Sequence, residues 1–142
     1  MLLIALIAAM VAVAWFRPCW LSDENQFLRG FVNQELLAVL GVVVTITLAS
    51  AANLHLELNR LEDEYEERFP EARWANRSYA YLLIWLFILA IFLVVCKPIF
   101  ASSPFEQALF NGAAIMIVLV NVLSLMDLTG AIFQIPSKRR IG

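Results

Sequence analysis

Four runs of apolar residues, separated by short polar segments, constrain this chain more than any other feature of its sequence. The second run, 36–54, and the third, 79–96, each approach the roughly 20 residues that a helix needs to cross a bilayer. The fourth covers 105–126, and the first, 1–16, is shorter. A hydrophobic fraction of 62% also exceeds the roughly 45–50% of soluble domains. The sequence therefore predicts an all-α integral membrane protein with four transmembrane helices in a single domain, 1–142.

The first run has a second interpretation, because Ala12-Val13-Ala14 resembles the cleavage site of a signal peptide. The basic residues that open a signal peptide are missing, which favours a true first span.

The fourth run opens with Ser103-Pro104-Phe105-Glu106, which predicts a helix start with a serine N-cap, a proline in the first turn and a capping-box glutamate. After Met126 the chain stays apolar, but Gly130 and Pro136 interrupt it. We expect this tail to lie at the membrane surface.

Basic residues are unevenly divided between the two sides of the membrane that four spans define. One side holds Arg17, Arg29 and Lys97, and the other holds Arg60, Arg68, Arg73, Arg77, Lys138, Arg139 and Arg140. Because basic segments stay in the cytoplasm, this bias predicts that both termini are cytoplasmic. The segment 55–78 then forms a cytoplasmic helical hairpin, and Pro70 separates its two arms.

Small residues recur every three or four positions along the second span. They are Ala38, Gly41, Thr45, Ala49 and Ala52. Such a stripe lets another helix approach closely. Two interpretations stay open: packing within one chain, and the subunit interface of a homo-oligomer.

Asn53, His55 and Asp127 fall at the same predicted depth near the cytoplasmic end of the spans, with Asn121 one or two turns deeper. Together they are candidates for the polar lining or gate of a pore. Each also has a simpler interpretation. Asp127 would reach water, His55 would bond at the interface, and Asn121 would bond Thr45, Thr47 or Ser50 across a helix contact.

The predicted hairpin carries a charged surface that a cytoplasmic activating protein or signal could bind, although such runs are usually only solvated faces. Its candidate residues are Glu62, Asp63, Glu66, Arg68 and Arg73. A net charge of −2 argues against a nucleic-acid partner. No metal-binding or cofactor motif occurs, and no nucleophile and base share a depth, so we expect neither metal nor cofactor nor enzymatic activity. Cys19 and Cys96 fall on the same side, and the sequence leaves open whether they form a disulfide.

The plan of four spans with a charged hairpin, and the segment Glu35–Asn53 (ELLAVLGVVVTITLASAAN), resemble the small phage-exclusion proteins and other four-helix membrane effectors of bacterial anti-phage systems. The resemblance implies assembly in the inner membrane and permeabilisation of that membrane when a cytoplasmic partner or signal acts. We therefore expect an oligomeric pore-forming effector. The alternative is a non-conducting accessory or structural subunit of a larger membrane complex, and a transporter is disfavoured because no charge lies at the predicted midplane.

Overall fold

The structure, a computed structural model, describes residues 2–65 and 69–134, with side chains described for residues 4–64 and 69–130. Within these ranges the fold is all-helical and contains no strand, as predicted. The helices are α1 (Leu2–Phe16), α2 (Gln26–Gly30), α3 (Leu36–Tyr65), α4 (Pro70–Phe100) and α5 (Pro104–Gln134), with a 3₁₀ turn at Pro18–Trp20.

Three helical segments in the described ranges are long and apolar enough to cross a membrane: the one that contains α3, then α4, then α5. Helix α1 is apolar but has only 15 residues, a length of about 22 Å at 1.5 Å per residue. Large apolar side chains such as Trp85, Phe92 and Ile46 are exposed on the surface of the bundle. Exposed apolar surface of this extent is expected when the surrounding solvent is lipid.

The backbone conformation determines the first residue of α3 and of α4. Before α3, Val32 (φ −83°, ψ 62°) and Asn33 (φ −152°, ψ −140°) leave the helical region, so the chain turns and regular helix resumes at Leu36. Helix α4 begins at Pro70, whose fixed φ suits the first turn and whose missing N–H costs nothing there. Both helices are longer than the predicted spans. Helix α3 continues past residue 54 to Tyr65, and α4 begins at Pro70, before residue 79, and ends at Phe100.

The start of α5 confirms the predicted capping box. The Glu106 carboxylate accepts hydrogen bonds from the backbone N–H groups of Ser102 (2.9 Å) and Ser103 (2.8 Å), and the Glu106 N–H donates to Ser103 Oγ (3.3 Å). The interruption expected at Gly130 is wrong, because α5 continues through it to Gln134. One glycine inside a helix costs only about 1 kcal/mol. Pro136 and the rest of the tail lie outside the described residues.

The core is an apolar contact between α3, α4 and α5. Its buried members include Leu36 and Leu40 of α3, Leu93 of α4, and Ala114 and Ile117 of α5. Helices α3 and α4 pack antiparallel, since residue numbers fall along α4 as they rise along the facing α3.

Helix α1 lies against α5, where the rings of Trp15 and Phe105 meet edge to face at 5.6 Å. The bundle therefore has two ends. We call them the Lys97 end, where α1 and α4 finish and α5 begins, and the Asp127 end, where α4 begins.

Candidate functional site

A buried polar cluster ties the loop after α1 to α4 and α5 at the Lys97 end. The Lys97 ammonium lies 2.7 Å from Asp23 Oδ1, and the same oxygen accepts a hydrogen bond from Asn111 Nδ2 at 3.1 Å. Asn111 Nδ2 also donates to the Leu21 carbonyl (2.7 Å), and the Asp23 N–H donates to Gln107 Oε1 (3.2 Å). We call these residues, Leu21, Asp23, Lys97, Gln107 and Asn111, the Asp23 cluster.

Burial alone would raise the pKa of Asp23, but the hydrogen bonds from Lys97 and Asn111 and the attraction of the Lys97 charge outweigh it. The pKa of Asp23 therefore lies below its ordinary value. An ionised Asp23 and a charged Lys97 form a structural tie between elements far apart in sequence. This cluster was not predicted from the sequence: Lys97 was interpreted only as a loop charge, and Asp23, Gln107 and Asn111 carry no local signal of a shared site.

A crevice of about 410 Å³ opens between α3, α4 and α5 at the Asp127 end. The Tyr79 hydroxyl donates a hydrogen bond to Asp127 Oδ2 at 2.7 Å, and both residues line the crevice. Buried Asn76 lines it as well, and its Nδ2 donates to the Ala51 carbonyl at 2.8 Å. The remaining walls are largely apolar and include Leu54, Leu58, Ala72, Met126 and Leu128. We call this cavity the Asp127 crevice.

The structure does not bring Asn53, His55 and Asp127 into one cavity. His55 is exposed and lines a second groove of about 570 Å³ with Arg73 and Arg77, on the other flank of the contact between α3 and α4. Asn53 is exposed on α3. Of these three predicted residues, only Asp127 borders the Asp127 crevice.

The expected bonding of Asn121 across a helix contact is wrong. Asn121 is buried, but its Nδ2 donates to the carbonyl of Ile117 in its own helix at 2.8 Å. The three hydroxyls that were expected to be its partners also bond within their own helix. Thr45, Thr47 and Ser50 each donate a hydrogen bond to the backbone carbonyl four residues earlier. Short polar side chains in a helix readily make such local bonds.

The small-residue stripe of α3 is largely exposed. Ala38, Thr45, Ala49 and Ala52 are exposed, and only Gly41 is half-buried, with Phe87 nearby. The buried face of α3 carries other residues, including Leu36, Leu40, Val44 and Thr47. Most of the stripe is therefore on the surface of a single chain, and both interpretations of it stay open.

The charged surface of the predicted hairpin includes a well-formed ion pair. Arg73 contacts Glu62 at 2.6 Å and also bonds Asn59, while Glu62 Oε1 accepts the Phe69 N–H at 2.9 Å. These bonds hold the end of α3 to the start of α4. Asp63 is exposed, and Glu66 and Arg68 lie outside the described residues.

Cys19 and Cys96 are free thiols in this structure. Among the described residues, no three His, Cys, Asp or Glu side chains lie close enough together to hold a metal ion.

No family model matches this chain, and comparisons with curated proteins and with solved structures found no match.

Proposed function

We propose that this protein assembles with copies of itself in the bacterial inner membrane and forms an ion-conducting or permeabilising pore that is gated from the cytoplasm. Anti-phage defence is the role that the resemblance in plan and in the segment 35–53 favours. The proposal keeps four spans, with both termini and the hairpin 55–78 in the cytoplasm. Its strongest support is the exposure of the small-residue stripe of α3.

An exposed stripe of small residues supports self-association for a physical reason. Lipid tails are as apolar as leucine, so membrane helices associate through close van der Waals packing, which small side chains permit. Ala38, Thr45, Ala49 and Ala52 are exposed among the described residues, so part of the surface of each is free to pack against another helix. A second copy of α3 would provide that helix.

A conducting path in this proposal runs between copies, because apolar side chains occupy the contact between the three long helices of one chain. Leu36, Leu40 and Leu83 are almost fully buried and fill the space between the three long helices. The exposed polar groups near the Asp127 end, namely Asn53, His55 and Asp127, face outward from a single copy. Only an assembly could gather them around an opening.

Gating from the cytoplasm rests on the ends of α3 and α4 that the Glu62–Arg73 pair joins. These ends are continuous with the parts of α3 and α4 that form the core. A partner that displaced the ends would therefore move both helices as rigid bodies. The exposed Asp63 offers a charge to such a partner.

The first span is supported by the packing of α1. Met10 lies close enough to α5 that a side chain added at Gly112 would meet its sulfur at 3.9 Å. Together with the contact of Trp15 on Phe105, this places α1 alongside a helix long enough to cross the membrane. Bilayer thinning or snorkelling of flanking residues accommodates a short span at modest cost.

The competing function is a non-conducting accessory subunit. In that case no conducting path is needed, and the exposed stripe of α3 would contact a different membrane protein.

Two measurements test the proposal. In the first, Ala49→Leu should shift purified protein from oligomer to monomer, measured by native mass spectrometry and crosslinking in lipid nanodiscs. Ala8→Leu, an equal enlargement on the exposed surface of α1, is the matched control and should leave the oligomer intact. An oligomer that survives Ala49→Leu as well as Ala8→Leu would refute the α3 interface.

In the second measurement, ion flux is followed with a dye in liposomes and as membrane depolarisation in bacteria challenged with phage. We expect flux from the wild type, a loss with Ala49→Leu, and an altered cation preference with Asp127→Ala. Asp127→Ala should still insert, because removing a charge lowers the cost of insertion. An oligomer that conducts in neither setting would favour the accessory subunit.

A further inference from the structure

The Asp127 crevice combines three features that together define a ligand chemistry. It has a carboxylate, a buried acceptor oxygen without a donor, and mostly apolar walls. Asp127 is also a candidate pore residue, but the geometry of the crevice within one chain does not depend on the proposed pore.

The carboxylate of Asp127 is not neutralised by a cation in the described part of the chain, since no ion pair there includes it. Tyr79 bonds Oδ2 but brings no charge. Asp127 is exposed beside the apolar walls of the crevice, where its carboxylate can form a charge-assisted hydrogen bond with a cationic ligand group. The first requirement on a ligand is therefore a positive charge.

Asn76 supplies the second requirement. It is 7% exposed and lines both the crevice and the neighbouring groove of His55, and its Oδ1 accepts no hydrogen bond from the described residues although its Nδ2 is bonded to Ala51. Nearly all buried polar atoms in proteins are hydrogen-bonded, so an exception calls for a missing donor. A ligand that meets both requirements carries N–H donors on its positive group.

The apolar walls of the crevice set the third requirement on a ligand, which is an alkyl chain. Leu54, Leu58, Met126 and Leu128 suit an alkyl chain, and the volume of about 410 Å³ lies in the range of small-molecule sites. The lining contains no lysine or arginine, so nothing in it would neutralise a phosphate. This argues against a phospholipid headgroup.

We propose that the Asp127 crevice binds a hydrophobic primary amine, with the ammonium group between Asp127 and Asn76 and the alkyl chain against the leucine and methionine walls. The charge-assisted bond to the carboxylate gives orientation, and apolar burial gives affinity.

Dodecylammonium is the probe for the test. It is titrated by calorimetry into the full-length protein in phosphatidylcholine nanodiscs, and the signal of empty nanodiscs is subtracted. We expect saturable binding with one site per chain, and at least a tenfold weaker affinity for Asp127→Asn, which keeps the shape and the Tyr79 bond. Asp63→Asn removes an exposed acid outside the crevice lining and is the matched control, expected to bind as the wild type does.

Two further comparisons separate a built site from adsorption to negative charge. Ala72→Leu fills part of the crevice without changing any charge, and should also weaken binding. Dodecyltrimethylammonium has the charge but no N–H donor, and should bind less tightly than dodecylammonium. Circular dichroism establishes that each variant keeps the wild-type helix content.

Binding that is absent, or equal in the wild type, Asp127→Asn and Ala72→Leu, would overturn the proposal. Competition by added phosphatidylethanolamine would overturn the assignment to a phosphate-free amine. None of these readouts uses ion flux, so a protein that conducts nothing could still bind the amine, and a conducting protein could fail to bind it.

Discussion

Removing the charge of Lys97 should destabilise the fold strongly, because it leaves Asp23 ionised beside buried polar groups. The Lys97 side chain is 9% exposed and that of Asp23 is 27% exposed. Deleting one partner of a fully buried ion pair costs roughly 3–5 kcal/mol. Asp23 keeps some contact with water and its bond from Asn111, so we expect Lys97→Met to lower the free energy of unfolding by about 2–3 kcal/mol.

The assay is reversible unfolding in mixed micelles with increasing sodium dodecyl sulfate, followed by tryptophan fluorescence at neutral pH. The control is Arg60→Met, which breaks an exposed 3.8 Å pair with Glu57 and should cost less than about 0.5 kcal/mol. A double variant, Asp23→Asn with Lys97→Met, removes both charges and should be more stable than Lys97→Met alone. If Lys97→Met unfolds like Arg60→Met, or if the two changes are additive, the tie contributes no coupling and the reasoning is refuted.

Three further predictions concern stability. The pKa of Asp23 is lowered in the folded state, so the ionised carboxylate stabilises the fold above the ordinary pKa of about 3.9. This stabilisation is lost as the pH falls through the lowered pKa of the folded state. Between pH 5 and 2 the wild type should therefore lose more stability than Asp23→Asn, measured by acid unfolding. Asn121→Leu removes a buried oxygen without a donor and should hold or raise the free energy of unfolding by up to about 1 kcal/mol, and a clear loss would show that Asn121 has an unseen partner. Ser103→Ala removes the N-cap of α5 and should cost about 1 kcal/mol in the same assay, whereas no change would deny the cap a role.

Local sequence signals predicted the parts of the fold that depend on neighbouring residues. The capping box at Ser103 and Glu106 acts within one turn, so four residues sufficed to place the start of α5. The end of α5 could not be placed in this way. Gly130 weakens a helix only slightly, and the packing of the surrounding apolar residues decides whether it continues.

The polar clusters could not be predicted because they join residues that are distant in the chain. Asp23 and Lys97 are 74 positions apart, and Asp23 and Asn111 are 88 apart. A signal was nevertheless present: Asn111 interrupts an apolar run, and an amide there needs a partner. The same rule gives the wrong partner for Asn121, whose Nδ2 donates to a carbonyl in its own helix.

The spacing of the small residues identified a stripe on one face of α3. It did not say whether that face is buried or exposed, since both faces of a largely apolar helix can carry such a stripe. The structure places the stripe away from the core. At about 100° per residue, Leu54 and Leu58, which border the Asp127 crevice, lie about 140–180° around the α3 axis from Thr45 and Ala49. A copy that packs on the stripe therefore leaves the crevice open.

Ala49→Leu should change assembly without changing amine binding, and Asp127→Asn should change binding without changing assembly. A variant that altered both would mean that the two surfaces are coupled through movement of α3 itself.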